Sequence, residues 1–463
     1  MAQNIDVTQV VDGQRVGALL IGVMAVCILV TLTDGYNISV ASFAAPGIVK
    51  AFHIDRAALG GLFSSSLIAG LIGPFAFGTL ADRIGRRNGI ILSTVMFGVF
   101  GLVSGLCTSL EPLIITRFIA GVGMSGALAV TVATVNEFAP RRLRATCVTI
   151  VFSGTTIGSG LPGLVAPPLV AHYGWQSLFF VGGVVPLALA AAVYFLLPES
   201  PKFLCLRSGR RELLERVLRR MQPQLSLTPD SSLVLGGEAP AERSSHAQLF
   251  QGRLAALTPL LWLGAFLAMI VFHSFNSWLT VLLPDTGMSY SQATHTVALF
   301  QFVGTLGGWV IMQPLDRFGM LPCTILYVLA IPLIFALGAP GLVGTDLMLM
   351  CAAVGFCVLG LHFAQVACIS NVYPTSVRGL GVGWFMLFAR VGGAVGPWVV
   401  GQLVAQHVPL RHLFQLATLP LIVGTVASIA VTVIYQAYYQ KKSSPAALAA
   451  VPGSLEGAKP GWE

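Results

Sequence analysis

The chain has 463 residues, 55% of them hydrophobic and 10% charged, with a formal net charge of +8 and a mean hydropathy of +0.82. Soluble domains carry about 25% charged residues, so this composition excludes a water-coated globular enzyme. Apolar stretches of about 20 residues, enough to cross about 30 Å of hydrocarbon, recur from end to end. Their continuity, with no alternation at strand period, excludes a β-barrel and predicts helices.

The first fifteen residues, MAQNIDVTQVVDGQR, are polar and lack a signal-peptide pattern, so the first apolar run is predicted to be a retained span. That run continues into TLTDGYNISV, which sets Asp34, Tyr36 and Asn37 in apolar surroundings where a carboxylate is costly. The predicted spans are 16–40, 57–80, 88–109, 112–137, 145–170, 176–197, 258–283, 292–314, 321–341, 345–370, 379–405 and 411–436. Basic residues concentrate in alternate loops: Arg83, Arg86 and Arg87; Arg141, Arg142 and Arg144; the stretch 199–257; Arg317; Arg378; Lys441 and Lys442. The intervening loops hold little more than Lys50, Arg56 and Arg411. This is the positive-inside pattern, and it predicts both termini in the cytoplasm. The same alternation explains the net charge without nucleic acid as a partner.

The loop after the second span reads GTLADRIGRR, with Gly78, Asp82, Arg83, Gly85, Arg86 and Arg87 at a helix end; Glu137, at the inner end of span 4, is the expected ion-pair partner. Span 4 opens RFIAGVGMSGA. At 1.5 Å per residue, Asp34 stands about 7 Å and Arg117 about 10 Å outward of their spans' centres, so the two charges are expected to pair. Between spans 6 and 7 runs LPESPKFLCLRSGRRELLERVLRRMQPQ; its RRELLERVLRR portion has helical periodicity and is expected to lie on anionic headgroups.

The two halves resemble each other. LADRIG at 80–85 matches PLDRFG at 314–319, pairing Asp82 with Asp316, Arg83 with Arg317 and Gly85 with Gly319. At the same offset, NEFAPRRLRA matches SNVYPTSVRG. Duplication therefore predicts an all-α membrane protein of twelve helices in two pseudo-symmetric bundles, with a site between them near the midplane. The expected segments are 1–198, a six-helix bundle; 199–257, a cytoplasmic linker with an amphipathic helix; 258–437, a second six-helix bundle; and 438–463, a disordered cytoplasmic tail.

In the second half, span 7 contributes His273 and Asn276, span 8 Gln301, span 10 His362 and Gln365, and span 11 Trp384, Phe388 and Arg390. Arg390, near the centre of its span, offers the paired donors that suit a carboxylate. Asn276 offers hydrogen-bond donors and an acceptor, and Trp384 and Phe388 offer aromatic faces. Any single histidine in such a bundle is more often satisfied internally than a proton carrier. The eight cysteines are scattered with no metal-ligand spacing, and no GxxxxGK[ST] loop is present; no enzyme activity, metal or cofactor is expected.

GTLADRIGRR resembles the G-x-x-x-D-R-x-G-R-R signature of the major facilitator superfamily, which implies that this loop locks the cytoplasmic side shut. DGYN is similar to the D-G-x-D of the aromatic acid:proton symporter family, with further likeness in LPES, NVYPTSVRGLGVGW and ARVGGAVGP. The resemblance implies alternating-access import of acids such as 4-hydroxybenzoate, protocatechuate or benzoate with protons, by a bacterial inner-membrane protein acting as a monomer among lipids. It implies proton coupling through Asp34 and Arg117, and substrate contacts from Arg390, Tyr36, Asn37, Asn276, His273, Gln301, His362, Gln365, Trp384 and Phe388, with Asn276 expected to hydrogen-bond a ring substituent and Trp384 and Phe388 to stack on the ring. The second aspartate of the family pattern is Asn37 here, which removes one titrating group. The alternative is a proton-antiport exporter, whose G-P-x-x-G-G element is replaced in span 5 by GTTIGSGLPGLVAPP.

Overall fold

The structure is a computed structural model that describes residues 4–207, 209–225, 232–236, 245–339, 341–374 and 376–442. A short strand β1 (Asn4–Asp6) and helix α1 (Val7–Gly13) precede the first long helix, α2 (Ala18–Phe52). The second span is two helices, α3 (Leu59–Ala69) and α4 (Gly73–Ile84), followed by α5 (Arg86–Gly105), α6 (Leu110–Phe138), α7 (Arg144–Tyr173) and α8 (Gln176–Leu196). Next come α9 (Pro201–Cys205), α10 (Arg211–Met221) and strand β2 (Ser232–Val234). The second half is α11 (Leu254–Leu282), α12 (Tyr290–Phe318), α13 (Leu321–Leu337), α14 (Gly344–Val372), α15 (Arg378–Ala405), α16 (Leu410–Leu416) and α17 (Thr418–Lys442).

Among the described residues, eleven helical spans are long and apolar enough to cross a membrane, and α13, with 17 residues, is a shorter apolar helix. It measures about 25 Å, a mismatch a bilayer absorbs by local thinning. Most spans run past their predicted ends. The first, expected at 16–40, continues to Phe52 because Ala41, Phe43, Ala44, Ala45 and Ile48 are buried, and packing overrides the breaker Pro46. The second, expected as one helix, breaks at Gly70–Ile72, where Pro74 has no N–H to return a bond to Gly70. The amides of Gly70, Leu71 and Ile72 reach back only three residues, to Leu67, Ile68 and Ala69, at 3.0–3.1 Å.

The packing repeats itself. α2 packs on α7 as α11 packs on α15; α3 and α4 pack on α6 as α12 packs on α14; α5 packs on α8 as α13 packs on α17. Between the halves, α12 meets α7 and α15 meets α3, with α2 against α11 at the centre. These contacts place a pseudo-two-fold axis between the bundles. Small residues set the closest crossings, as membrane helices require. A Cβ on Gly35 would lie 1.9 Å from the Thr155 carbonyl oxygen, and one on Gly392 would lie 2.2 Å from that of Phe266.

We call the face carrying α1, α9 and α10 the near face and its opposite the far face. On the near face the polar segment 4–13 is held in place. β1 pairs in parallel with β2, and the Asp6 carboxylate accepts from Thr8 N at 2.8 Å and Gly236 N at 2.9 Å. Slight burial raises the Asp6 pKa, but the Gly236 and Thr8 donors outweigh it and the net shift is downward. The stripe Leu214, Val217, Leu218 and Met221 of α10 is buried in one cluster with Val7, Val10 and Val11 of α1. The headgroup role expected for this helix is corrected accordingly: its apolar face is spent on protein, leaving arginines such as Arg219 and Arg220 outward.

Gly35→Ala is expected to force α2 from α7 and to destabilise by about 1–3 kcal/mol, the range for overpacking. Thermal unfolding of the detergent-purified protein measures it, and an unchanged midpoint would contradict the crossing.

Candidate functional site

A cavity of about 160 Å³ lies between the halves. From the first half it is lined by α2, α3, α6 and α7, and from the second by α11, α14 and α15. Its charged members are Asp34, at the middle of the long α2, and Arg390, near the middle of α15. Asp34 is 1% exposed, and neither carboxylate oxygen has a hydrogen-bond partner. The charge acting on Asp34 is that of Arg390, and Asp34 is the charge acting on Arg390. The Thr155 hydroxyl stands beside the carboxylate. The break in the second span serves this pair: a Cβ on Gly70 would come 2.7 Å from Arg390 Nη1. Phe152, Phe272, Met124, Met269, Leu359 and Met386 form the apolar wall.

Arg117 is elsewhere. Fully buried, it donates from Nη2 to the Asn37 carbonyl and lies 5.7 Å from the Phe179 ring centroid, with no acidic partner among the described residues. The expected Asp34–Arg117 pair is therefore not formed; Arg390 is the arginine whose charge acts on Asp34, across the cavity and without a direct bond. Helical phase explains it: Asp34 faces the cavity, while Asn37 and Tyr36 face α8. Asn37 Nδ2 donates to Gly182 O at 2.7 Å and Thr33 O at 3.1 Å, and Tyr36 donates to Leu178 O at 3.1 Å.

Asn276 lines the cavity, but its amide is engaged: Nδ2 donates to Ser39 Oγ at 3.2 Å, and Oδ1 accepts from Gln301 Nε2. Gln301 is wholly buried behind it. Gln365 donates to Tyr327 Oη at 3.0 Å, away from the cavity. Trp384 and Phe388 stack with Trp262 at 5.5 and 4.9 Å, and Trp384 also donates to His246 at 3.1 Å; neither lines the cavity. His273 and His362 both do. Phe152, Phe272 and Thr155, unremarked in the sequence, complete the wall; Thr155 sits at the Gly35 crossing, a signal the glycine pattern carried only weakly.

The far face is sealed between the halves. Ser42 donates to Ser277 O at 2.8 Å and stands 2.9 Å from Thr280 Oγ1. Ser64 donates to Ala394 O at 2.7 Å, Tyr290 to Phe43 O at 2.7 Å, and Arg56 meets Asp285 at 2.9 Å. Toward the near face the halves part: α4 packs on α5 and α6 of its own half, and a Cβ on Gly78, Gly379 or Gly383 would meet nothing within 4 Å. The structure is open on the near side.

The basic loop there is tied within the first half. Arg86 bonds Glu137 at 2.9 Å and Asp82 at 2.7 Å, Arg87 lies 4.5 Å from the Tyr194 ring centroid, and the Arg83 carbonyl accepts from Arg207 at 2.9 Å. Glu199 of the LPES motif, whose role the sequence left unread, accepts from the backbone N–H of Arg86 at 2.7 Å and Arg87 at 3.3 Å, capping the positive end of α5. Gly85, with φ of +102°, passes where a Cβ would lie 2.2 Å from that carboxylate. In the second half Arg317 is exposed, and the Asp316 side chain lies outside the described residues.

The profile of the Major Facilitator Superfamily matches residues 27–397. The chain is 31% identical over 430 residues to the 4-hydroxybenzoate transporter PcaK of Pseudomonas putida, covering 93% of this chain and 96% of the relative. It is 30% identical over 427 residues to a gallate transporter of the same organism, covering 92% and 95%. Among solved structures, a bacterial homologue of the lysosomal transporter Spinster, inward-facing and unoccupied, has a TM-score of 0.70 at 16% identity, covering 93% of this chain and 100% of the other. The inward-open xylose transporter XylE of E. coli has a TM-score of 0.68 at 16% identity, covering 89% and 95%.

A buried charge without a counterion is a net cost that an apolar side chain of similar length avoids. Arg117→Met is accordingly expected to leave thermal stability unchanged or raise it by about 1–4 kcal/mol; a marked fall in the unfolding midpoint would show that the guanidinium is compensated.

Proposed function

The chain belongs to the Major Facilitator Superfamily, and from that premise we propose that it imports small aromatic carboxylates together with protons by alternating access. One observation carries this: a carboxylate from one bundle and a guanidinium from the other line the same apolar-walled cavity at their joint, with Phe152 and Phe272 in the wall. Cavities of about 150 Å³ with apolar walls accept a benzene-sized ring, so the volume suits a single substituted ring. The named relatives that transport 4-hydroxybenzoate and gallate support that substrate class.

Coupling follows from charge balance in the cavity. Empty, with Asp34 ionised, Asp34 and Arg390 neutralise each other. When Asp34 takes a proton, Arg390 is released to bind a substrate carboxylate in a two-pronged bond, and the cavity is neutral again. The two mixed states, substrate without proton and proton without substrate, leave a net charge to be enclosed, which costs several kcal/mol. The halves therefore change sides either empty or doubly loaded, and one proton travels with one acid. Asn37, an amide donating to two carbonyls, adds no second proton. The moving bodies are 1–198 and 258–437, joined by the segment 199–257.

The basic near face is the cytoplasmic face of a bacterial inner membrane, by the positive-inside rule. The conformation then faces inward, ready to release cargo. The charge pairs of Asp82, Arg86 and Glu137, braced by Glu199, hold the near end of the first half in shape for closure against the second. The protein works as a monomer embedded in lipid.

The test is uptake of labelled 4-hydroxybenzoate into membrane vesicles with and without an inward proton gradient. One pH unit supplies about 1.4 kcal/mol per proton, so accumulation of about tenfold is expected with the gradient, and equal, non-concentrating uptake in both would overturn the coupling. Asp34→Asn is expected to keep binding and exchange while losing gradient-driven accumulation. Arg390→Lys, which keeps the charge but loses the paired donors, is expected to weaken binding at least about tenfold, read by titration calorimetry.

A further inference from the structure

The polar groups of the cavity wall differ in what they have left to offer. Ser66 donates to Arg117 O at 3.0 Å, Ser125 to Gly121 O at 2.8 Å, Thr156 to Ser153 O at 3.0 Å, and Ser159 to Thr155 O at 2.9 Å. Each hydroxyl is turned back onto a helix carbonyl. Asn276 is held by Ser39 and Gln301. Besides the Asp34–Arg390 pair and Thr155 at its side, what remains is two imidazoles.

His273 and His362 both border the cavity, and Nδ1 of each is buried without a hydrogen-bond partner. The two rings lie within electrostatic reach of each other, and His273 within reach of Arg390. Both rings sit among aromatics: Phe272 lies 4.8 Å from His273 and Phe152 lies 6.2 Å from His362. His273 is seated by Gly393, one turn beyond Arg390, where a Cβ would come 2.6 Å from the ring. A buried polar atom with no partner is a cost that a ligand can relieve. Both stand in the half that carries Arg390, so they keep their spacing from the carboxylate anchor while the halves move.

We infer that His273 and His362 form a second polar pole of the site, which reads hydroxyl groups on the aromatic ring while Arg390 holds the carboxylate. A phenolic O–H donates to an unpartnered imidazole nitrogen, and the ring lies between the poles against Phe152 and Phe272. This rests on the proposed import of aromatic acids and narrows it to ring-hydroxylated acids. It also moves the substituent contact from Asn276, whose amide is committed, to the two histidines.

The experiment measures binding of benzoate and 4-hydroxybenzoate to the purified full chain by titration calorimetry, for the parent protein and for His273→Leu, His362→Leu and the corresponding Asn variants. The parent is expected to prefer the hydroxylated acid. At least one Leu variant is expected to lower the ratio of the two affinities about three- to tenfold, the worth of one neutral hydrogen bond. Because an Asn amide reaches the region of Nδ1, the matching Asn variant should recover part of the ratio. A fall in one Leu variant alone assigns the contact to that ring. Using a ratio separates this contact from general damage to the fold. A parent that does not distinguish the acids, or a ratio unchanged in both Leu variants, overturns the pole while leaving aromatic-acid import standing. Failure of every acid to bind the parent overturns the import proposal and the pole with it.

Discussion

In the proposed cycle the arrangement turns on keeping the cavity electrically neutral whenever it is closed to both sides. Two opposite charges, Asp34 from one half and Arg390 from the other, are confined where water is scarce and unbalanced charge is costly. Much of the surrounding architecture serves that encounter. The long α2 carries the acid to mid-depth, α15 brings the guanidinium to the same level, and the broken second span leaves a glycine where the guanidinium needs room. In the proposed cycle Arg390 exchanges the internal carboxylate for an incoming one when Asp34 takes a proton. Coupling on that reading needs no relay of residues across the protein; it follows from which occupancies can be closed off from water.

Duplication makes such a pair possible. Each half is built by the same packing scheme, and the seam between them repeats a contact on either side of an axis, α12 on α7 and α15 on α3. Residues facing the axis therefore come from both copies, while each copy has diverged in what it presents. The first contributes an acid, hydroxyls and Phe152; the second contributes a guanidinium, two imidazoles and Phe272. In the proposed cycle, the second half carries the carboxylate anchor and the two imidazoles together, and the first brings the titrating acid to them.

The general plan was legible in sequence because lipid imposes strong rules. Span count, alternation of basic loops and the repeated DR-x-G element all predict the observed bundle. Asp34 and Arg390 were likewise visible, since charges in apolar runs stand out. What composition could not carry was rotational phase. Asp34 and Asn37 are three residues apart, close enough on the helix surface to suggest one function, yet one faces the cavity and the other faces α8. The expected contact between Asp34 and Arg117 failed for the same reason. Trp384 and Phe388 are on the helix that bears Arg390, but point to Trp262. The ordered N-terminus was missed because its stabilising partners, α10 and β2, lie more than two hundred residues away. Asn276 shows a different gap: its position was legible, but whether its amide was already committed depends on Ser39 and Gln301, which only the folded chain brings together.

The far-side seal has a character that bears on how the molecule cycles. Ser39, Ser42, Ser64 and Thr280 bridge the halves by hydroxyl bonds, with backbone carbonyls such as Ser277 O among the acceptors. Each such bond is worth only about 0.5–1.5 kcal/mol net, since water replaces it when it breaks. Beside them Phe63 packs on Trp278 at 5.5 Å within one buried apolar cluster shared by the two halves, so parting the far side bares apolar surface that water does not compensate. The hydroxyl share of the joint is then the part that can open first, with water entering ahead of the larger apolar parting.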